Sequence, residues 1–190
     1  LKTQFAQSAE LPFGDVLSGE RIEEIVAETG IKFRDRIYTP VTTLTTYLWQ
    51  VLHPDQACQG AVAKLAAQRA AQGKKPCSTK TGGYCTARKR LPETLPTTLA
   101  RETAARLHER SPKEPLLGGR PIKVFDGSTL TMPDTKANQK AFPQHPRQKP
   151  GAGFPIARIG VLFSLACGAV LQWDLCRYTG KAQSELALLS

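Results

Sequence analysis

The sequence predicts an α+β protein in which an all-helical N-terminal half precedes a strand-bearing half. Three observations lead there. Apolar residues recur at helical spacing, between clear start and stop signals, from Ser18 to Pro112. A Pro- and Gly-rich stretch follows, Ser111 to Arg120, and reads as a linker or domain edge. Beyond it the period changes to short β-branched and large apolar runs broken by glycine. The expected domains are residues 1–117, helical and basic, and residues 118–190.

The elements follow in order. Ser18 is a good N-cap for a helix with Ile22, Ile25 and Val26 on one face, and Gly30 is placed to end it. Thr39-Pro40 repeats the start signal, because proline at the first helical position loses no hydrogen bond. Leu44, Tyr47, Leu48, Val51 and Leu52 form the expected stripe of that second helix, which His53-Pro54 stops. Asp55 is the expected cap of a third, carrying Cys58, Ala61, Val62 and Leu65 ahead of Gly73. A fourth spans Tyr84 to Leu91 and a fifth about Thr97 to Arg110. Ile122, Val124 and Phe125 make a short strand. Arg158 to Cys167 makes a longer one, and after Gly168 the run Ala169 to Tyr178 returns as a hairpin partner. A polar loop from Ser128 to Pro155, holding five prolines, separates the first two strands. The chain starts at Leu1 and stops at Ser190 inside a helical pattern begun at Gly180, so a piece of a longer protein is expected.

Composition narrows the function classes. Of 190 residues, 41% are hydrophobic and 22% charged, which fits a folded domain and excludes a disordered tail or a coiled coil. The longest apolar run, Ile159 to Leu171, is broken by Gly160, Ser164 and Gly168 and falls short of the ~18 residues of a membrane span. Leu1-Lys2-Thr3-Gln4 does not open a secretory signal. Lys and Arg number 26 against 16 Asp and Glu, a net charge of +10 that favours polyanions, nucleic acid first. The five cysteines contain no CxxC, which argues against a zinc finger or disulfide framework and for a reducing compartment. The expected location is cytoplasmic, in association with the nucleoid.

Three features could carry chemistry. Asp126 ends the strand Ile122-Lys123-Val124-Phe125, where a rigidly held carboxylate suits a metal ligand; Asp126-Gly127 equally suits a hairpin turn. From Asp134 to Asp174 no acidic residue intervenes, while Lys136, Lys140, Arg147, Lys149 and Arg158 are basic. Such a loop draws a phosphodiester backbone, although scattered charge on a solvated loop gives the same pattern. In the helical half, Gln56 to Pro92 lacks Asp and Glu but holds Lys64, Arg69, Lys74, Lys75, Lys80, Arg88, Lys89 and Arg90. That is an electrostatic footprint for DNA, and Gly82-Gly83 could join two short helices in a helix-turn-helix manner. His53, His108 and His145 have no partners at metal spacing and read as surface or helix-end residues; Trp49 and Trp173 read as core.

The run Val124-Phe125-Asp126-Gly127-Ser128-Thr129, then Met132-Pro133-Asp134-Thr135 and Asn138-Gln139, resembles the opening of the catalytic domain of DDE-class insertion-sequence transposases, in the group founded on insertion sequence four. Gly153 through Phe154-Pro155-Ile156-Ala157-Arg158 to Phe163-Ser164-Leu165-Ala166 resembles the same group, as does Tyr178-Thr179-Gly180-Lys181-Ala182-Gln183-Ser184-Glu185. The likeness is close over Ile122 to Ser190 and looser over the helical half. It implies that residues 118–190 are the first half of a ribonuclease-H-like α/β catalytic domain, with Asp126 as its first catalytic Asp. The second Asp, and the Glu within a Tyr-Arg-Glu-Lys signature, have no counterparts in this chain; Asp134, Asp174 and Glu185 do not match their positions. The implied chemistry is phosphoryl transfer on two Mg²⁺ or Mn²⁺ ions bridged by Asp126. The implied partner is double-stranded DNA, transposon ends and target, gripped by a homodimer, with no membrane. A fragment with one of three carboxylates is expected to be inactive alone. The alternative from a different class is a non-enzymatic DNA-binding protein using the basic helical half.

Overall fold

The computed structural model describes residues 17–33, 36–111, 116–149 and 151–180, together with Ser184 and Leu188. It is a mixed helix-and-sheet protein. The helices are α1 (Gly19–Glu28), α2 (Pro40–Leu52), α3 (Cys58–Ala71), α4 (Gly82–Arg88), α5 (Thr94–Arg110) and α6 (Lys136–Ala141). The strands are β1 (Leu116–Leu117), β2 (Arg120–Pro121), β3 (Lys123–Thr131), β4 (Ile156–Ser164) and β5 (Val170–Arg177). The chain divides into two compact units, Leu1–Ala100 and Arg101–Ser190. The Pro- and Gly-rich stretch before residue 120 contains structure of its own: β1 and β2 pair through Gly118 and Gly119, at φ +59° and +78°. Two consecutive positive φ values suit the tight hairpin turn whose twist matches its strands, and glycine adopts them without a Cβ clash.

In the helical unit the caps work as the sequence indicates. Ser18 Oγ accepts from Arg21 N at 3.1 Å, and Thr39 Oγ1 accepts from Thr42 N at 3.2 Å, each satisfying one of the amide donors left open at a helix start. Ile22, Ile25 and Val26 of α1 close one core cluster with Leu44, Leu95 and Leu99. Each such side chain contributes about 1.5–3 kcal/mol on burial. A second cluster joins Trp49, Leu65 and Cys77.

Two local expectations fail here. The buried face of α2 is Pro40, Thr43, Leu44, Thr46 and Trp49, while Tyr47 and Val51 of the expected stripe are exposed. Threonine can be buried because its hydroxyl finds a partner within the helix: Thr43 Oγ1 and Thr46 Oγ1 donate to the carbonyls of Thr39 and Thr42, each at 2.7 Å. Asp55 does not cap α3, whose N-cap is Ala57 with no side-chain bond. Its Oδ1 instead accepts from Ala57 N at 2.9 Å and pairs with His53 Nδ1 at 2.7 Å, closing the turn between α2 and α3.

In the second unit β3, β4 and β5 form an antiparallel meander in that order. The hairpin of β4 and β5 turns through Gly168 as expected. The first strand is longer than the sequence indicates, reaching Thr131, and the loop after it is interrupted by α6. Propensity favours turns in Ser128-Thr129-Leu130-Thr131 only weakly, and nine paired positions along β4 override it. Gly160, central in β4, is where the Phe125 ring lies across the sheet; a Cβ there would sit 2.8 Å from Phe125 Cζ and 3.0 Å from Leu188 Cδ1. Most of the helix expected over 180–190 lies outside the described residues.

Candidate functional site

Asp126 is the fourth residue of β3, directly opposite Val161, and Gly127 is opposite Gly160. The Asp-Gly pair is therefore not a hairpin turn. Residues on both sides of it, Phe125 and Ser128, pair with the same strand at Leu162 and Ile159, so the backbone runs straight through. Nor does Asp126 end its strand; it lies in the interior of an extended segment. Its side chain is exposed, and its Oδ1 accepts from Gly127 N at 2.9 Å.

Directly paired residues share a face of a sheet, and neighbours along a strand alternate. Asp126, Val161 and Trp173 thus lie on one face, and Gly127, Gly160 and Asp174 on the other. Asp174 accepts locally from Leu175 N, and Asp134 Oδ1 accepts from Gln139 Nε2, both engaged away from Asp126. No group of three or more His, Cys, Asp or Glu suited to a metal ion occurs among the described residues. Asp126 has the right chemistry for Mg²⁺ or Mn²⁺, a hard anionic oxygen open to solvent. Its neighbours across the sheet, Val161 and beyond it Trp173, supply no second carboxylate, and no three-residue ligand group forms among the described residues.

The basic residues divide by how their charge is used. In the helical unit Lys74, Lys75, Lys80, Lys89 and Arg90 are exposed. Lys64 is half-buried with its ammonium 4.8 Å from the Trp49 ring centroid, and burial lowers its pKa. Arg69 Nε donates to the Lys75 carbonyl at 3.1 Å. Arg88 turns to the interior: it donates to Gln50 Oε1 at 2.9 Å and stacks its guanidinium 5.5 Å from the Tyr84 centroid. Tyr84 donates its own proton to the same Gln50 oxygen at 2.7 Å, and burial pushes its pKa up to about 12 against the opposing pull of Arg88. Arg88 is thus committed to packing, not to solvent.

In the strand unit Lys136 and Lys140 project from α6, and Arg147 and Lys149 from the loop after it, all exposed. Arg158 is half-buried, its guanidinium 5.5 Å from the Tyr178 ring centroid, and that ring packs on His145. The basic loop is held by residues the sequence reading passed over. Gln144 Oε1 accepts from Gly151 N and Gly153 N, and its Nε2 donates to the carbonyls of Gln148 and Lys149. Gln139 Nε2 reaches the Gly153 carbonyl, and Arg177 Nε donates to the Ala141 carbonyl at 2.9 Å, tying α6 to the end of β5. The only sequence signal was two glutamines spaced among prolines and glycines.

Among the other candidates, His108 Nδ1 and Ser164 Oγ share a hydrogen bond of 2.8 Å at the last turn of α5, and the cysteines are free. Trp49 is buried, whereas Trp173 is half-buried beneath the Arg101 guanidinium at 5.4 Å. Among the described residues no helix is long and apolar enough to cross a membrane. No protein-family model matches the chain. Nor does any curated protein or solved structure match it significantly.

Proposed function

We propose that this chain belongs to a DDE-class DNA transposition protein, its strand unit contributing the first carboxylate of a metal-dependent phosphoryl-transfer site and its helical unit gripping double-stranded DNA. The observation that carries this reading is the position of Asp126: an exposed carboxylate held in the interior of a nine-residue strand, where the competing turn reading required a chain reversal. The β3-β4-β5 meander supports the finer reading of a ribonuclease-H-like sheet seen through its first three strands.

Asp126 would be one ligand of Mg²⁺ or Mn²⁺, which when bound activates a water or 3′-hydroxyl and stabilises the leaving oxygen. The exposed lysines and arginines of α6 and its loop, Lys136, Lys140, Arg147 and Lys149, would hold the phosphodiester backbone without reading its sequence. Transposon ends and target DNA are then the partners, a homodimer the assembly, and the nucleoid the place of action. The chain of 190 residues is expected to be inactive by itself.

The deciding experiment compares Asp126→Ala with the parent in the full-length protein, reading Mg²⁺-dependent strand transfer and DNA binding separately. Transfer is expected to vanish while binding stays within about twofold, since the carboxylate opposes phosphate contact if anything. Unchanged transfer would leave the second reading, a non-enzymatic DNA-binding protein. The exposed basic residues Lys74, Lys75, Lys80, Lys89 and Arg90 favour that reading equally.

A further inference from the structure

Within the helical unit lies a cavity of about 390 Å³ that DNA backbone contacts do not account for. Its apolar walls include Phe33, Tyr38 and Ala87, and Gly82-Gly83, the first two residues of α4, line one side. A Cβ on Gly83 would stand 3.2 Å from Tyr38 Cε2, so the start of α4 approaches that ring closely. Arg36 and Arg90 also line it; both are exposed, and neither is ion-paired with a described residue. No described acidic residue lines the cavity. Its size falls in the range of about 300–1,000 Å³ usual for small-molecule sites.

We propose that this cavity binds a nucleotide unit, with its phosphate at Arg36 and Arg90 and its base against the Phe33 and Tyr38 wall. Two guanidiniums on one concavity, with no acidic side chain among its described lining residues, favour an anion, and the planar fork of arginine matches phosphate oxygens two at a time. A bare inorganic anion would leave the apolar wall unused. Aromatic side chains accept any base through its π face, so this wall selects for a nucleobase without selecting which one. The same chemistry is offered by a free nucleotide and by an unpaired nucleotide at the end of a DNA duplex. Binding of either kind needs neither Asp126 nor a metal, so its failure and the failure of strand transfer are separate outcomes.

Calorimetric titration of the whole chain with dAMP, deoxyadenosine and inorganic phosphate tests it. Saturable binding of dAMP is expected, with each half-molecule at least roughly tenfold weaker, as the loss of a charged hydrogen bond or a stacked base implies. Arg36→Ala with Arg90→Ala should weaken dAMP by at least roughly tenfold. Gly82→Leu adds an apolar side chain to the cavity's lining without altering charge, and nothing lies within 4 Å of a Cβ at Gly82, so the fold accommodates it and dAMP binding should fall. Absence of dAMP binding, equal binding of phosphate or deoxyadenosine alone, or full binding by the Gly82→Leu variant would each overturn the proposal. A duplex with one unpaired 3′ nucleotide, compared with a blunt duplex, identifies the source. A preference for the unpaired end that Gly82→Leu removes points to DNA, and no preference points to the free nucleotide.

Discussion

The helical unit and the strand unit bury their apolar residues to very different degrees. In the first, Ile22, Ile25, Val26, Leu44, Val62, Leu65, Leu95 and Leu99 are all buried, and two clusters account for most of them. In the second, the buried apolar side chains among the described residues are small: Ala104, Ala157 and Pro155. Its large ones are half-buried, as Phe125, Leu162 and Phe163 are, or stand open, with Phe154 at 58%, Leu165 at 51%, and Val124 and Leu130 at 42% exposure. Helices can close a core by turning their apolar stripes toward one another, whereas a three-stranded sheet has two faces and needs a layer on at least one of them. The contrast teaches that the strand unit, where the candidate carboxylate sits, derives little of its stability from packing among its described residues.

The largest expected effect tests that contrast directly. Ile22→Ala or Leu95→Ala should cost about 2–5 kcal/mol in urea unfolding of the helical unit, because each vacates a closed cluster. Val124→Ala should cost less than about 1 kcal/mol, its side chain being already 42% exposed. A loss at Val124 as large as at Leu95 would show that the sheet face is covered, and the contrast would fail.

Next in size is Gly160→Ala. The added methyl meets Phe125 Cζ at 2.8 Å and Leu188 Cδ1 at 3.0 Å, and an overpacked contact of this kind costs about 1–3 kcal/mol. Pairing it with Phe125→Leu should recover part of the loss in the same unfolding measurement. No coupling between the two substitutions would mean that the ring does not rest there.

The smallest effect is alkaline. Burial raises the Tyr84 phenol from its ordinary value near 10 to about 12 in the folded helical unit. The folded state therefore binds this proton more tightly than the unfolded chain. Its stabilising share is complete below about pH 10 and is lost as pH rises toward about 12. Tyr84→Phe should flatten the slope of stability against pH across that window, and an unchanged slope would place the phenol in water.

Much of this was readable beforehand. Ser18, Thr39 and Pro40 announced their helix starts because capping is a local bond between a side chain and an amide three residues on. The hairpin of β4 and β5 was equally plain. The α2 face was misjudged because threonine reads as polar, while its hydroxyl is satisfied by its own helix and leaves the methyl free to pack. Among the basic residues the sequence could count charge but not see Arg88 spent on Gln50 and Tyr84, a bond spanning 38 positions for the first of these.

Alternating apolar patterns, caps and charge are properties of neighbouring residues, and from them the sequence by itself determined a helical half, a stranded half and a strongly basic protein. Whether Asp126-Gly127 bends or runs straight was decided only by the tertiary structure. A two-residue turn and a paired strand use the same local signal, and the pairing of Phe125 with Leu162 and Ser128 with Ile159 chose between them. The meeting of Arg36 and Arg90 on one cavity was likewise invisible along the chain, since it depends on how the segment between α1 and α2 and the segment after α4 come together in space.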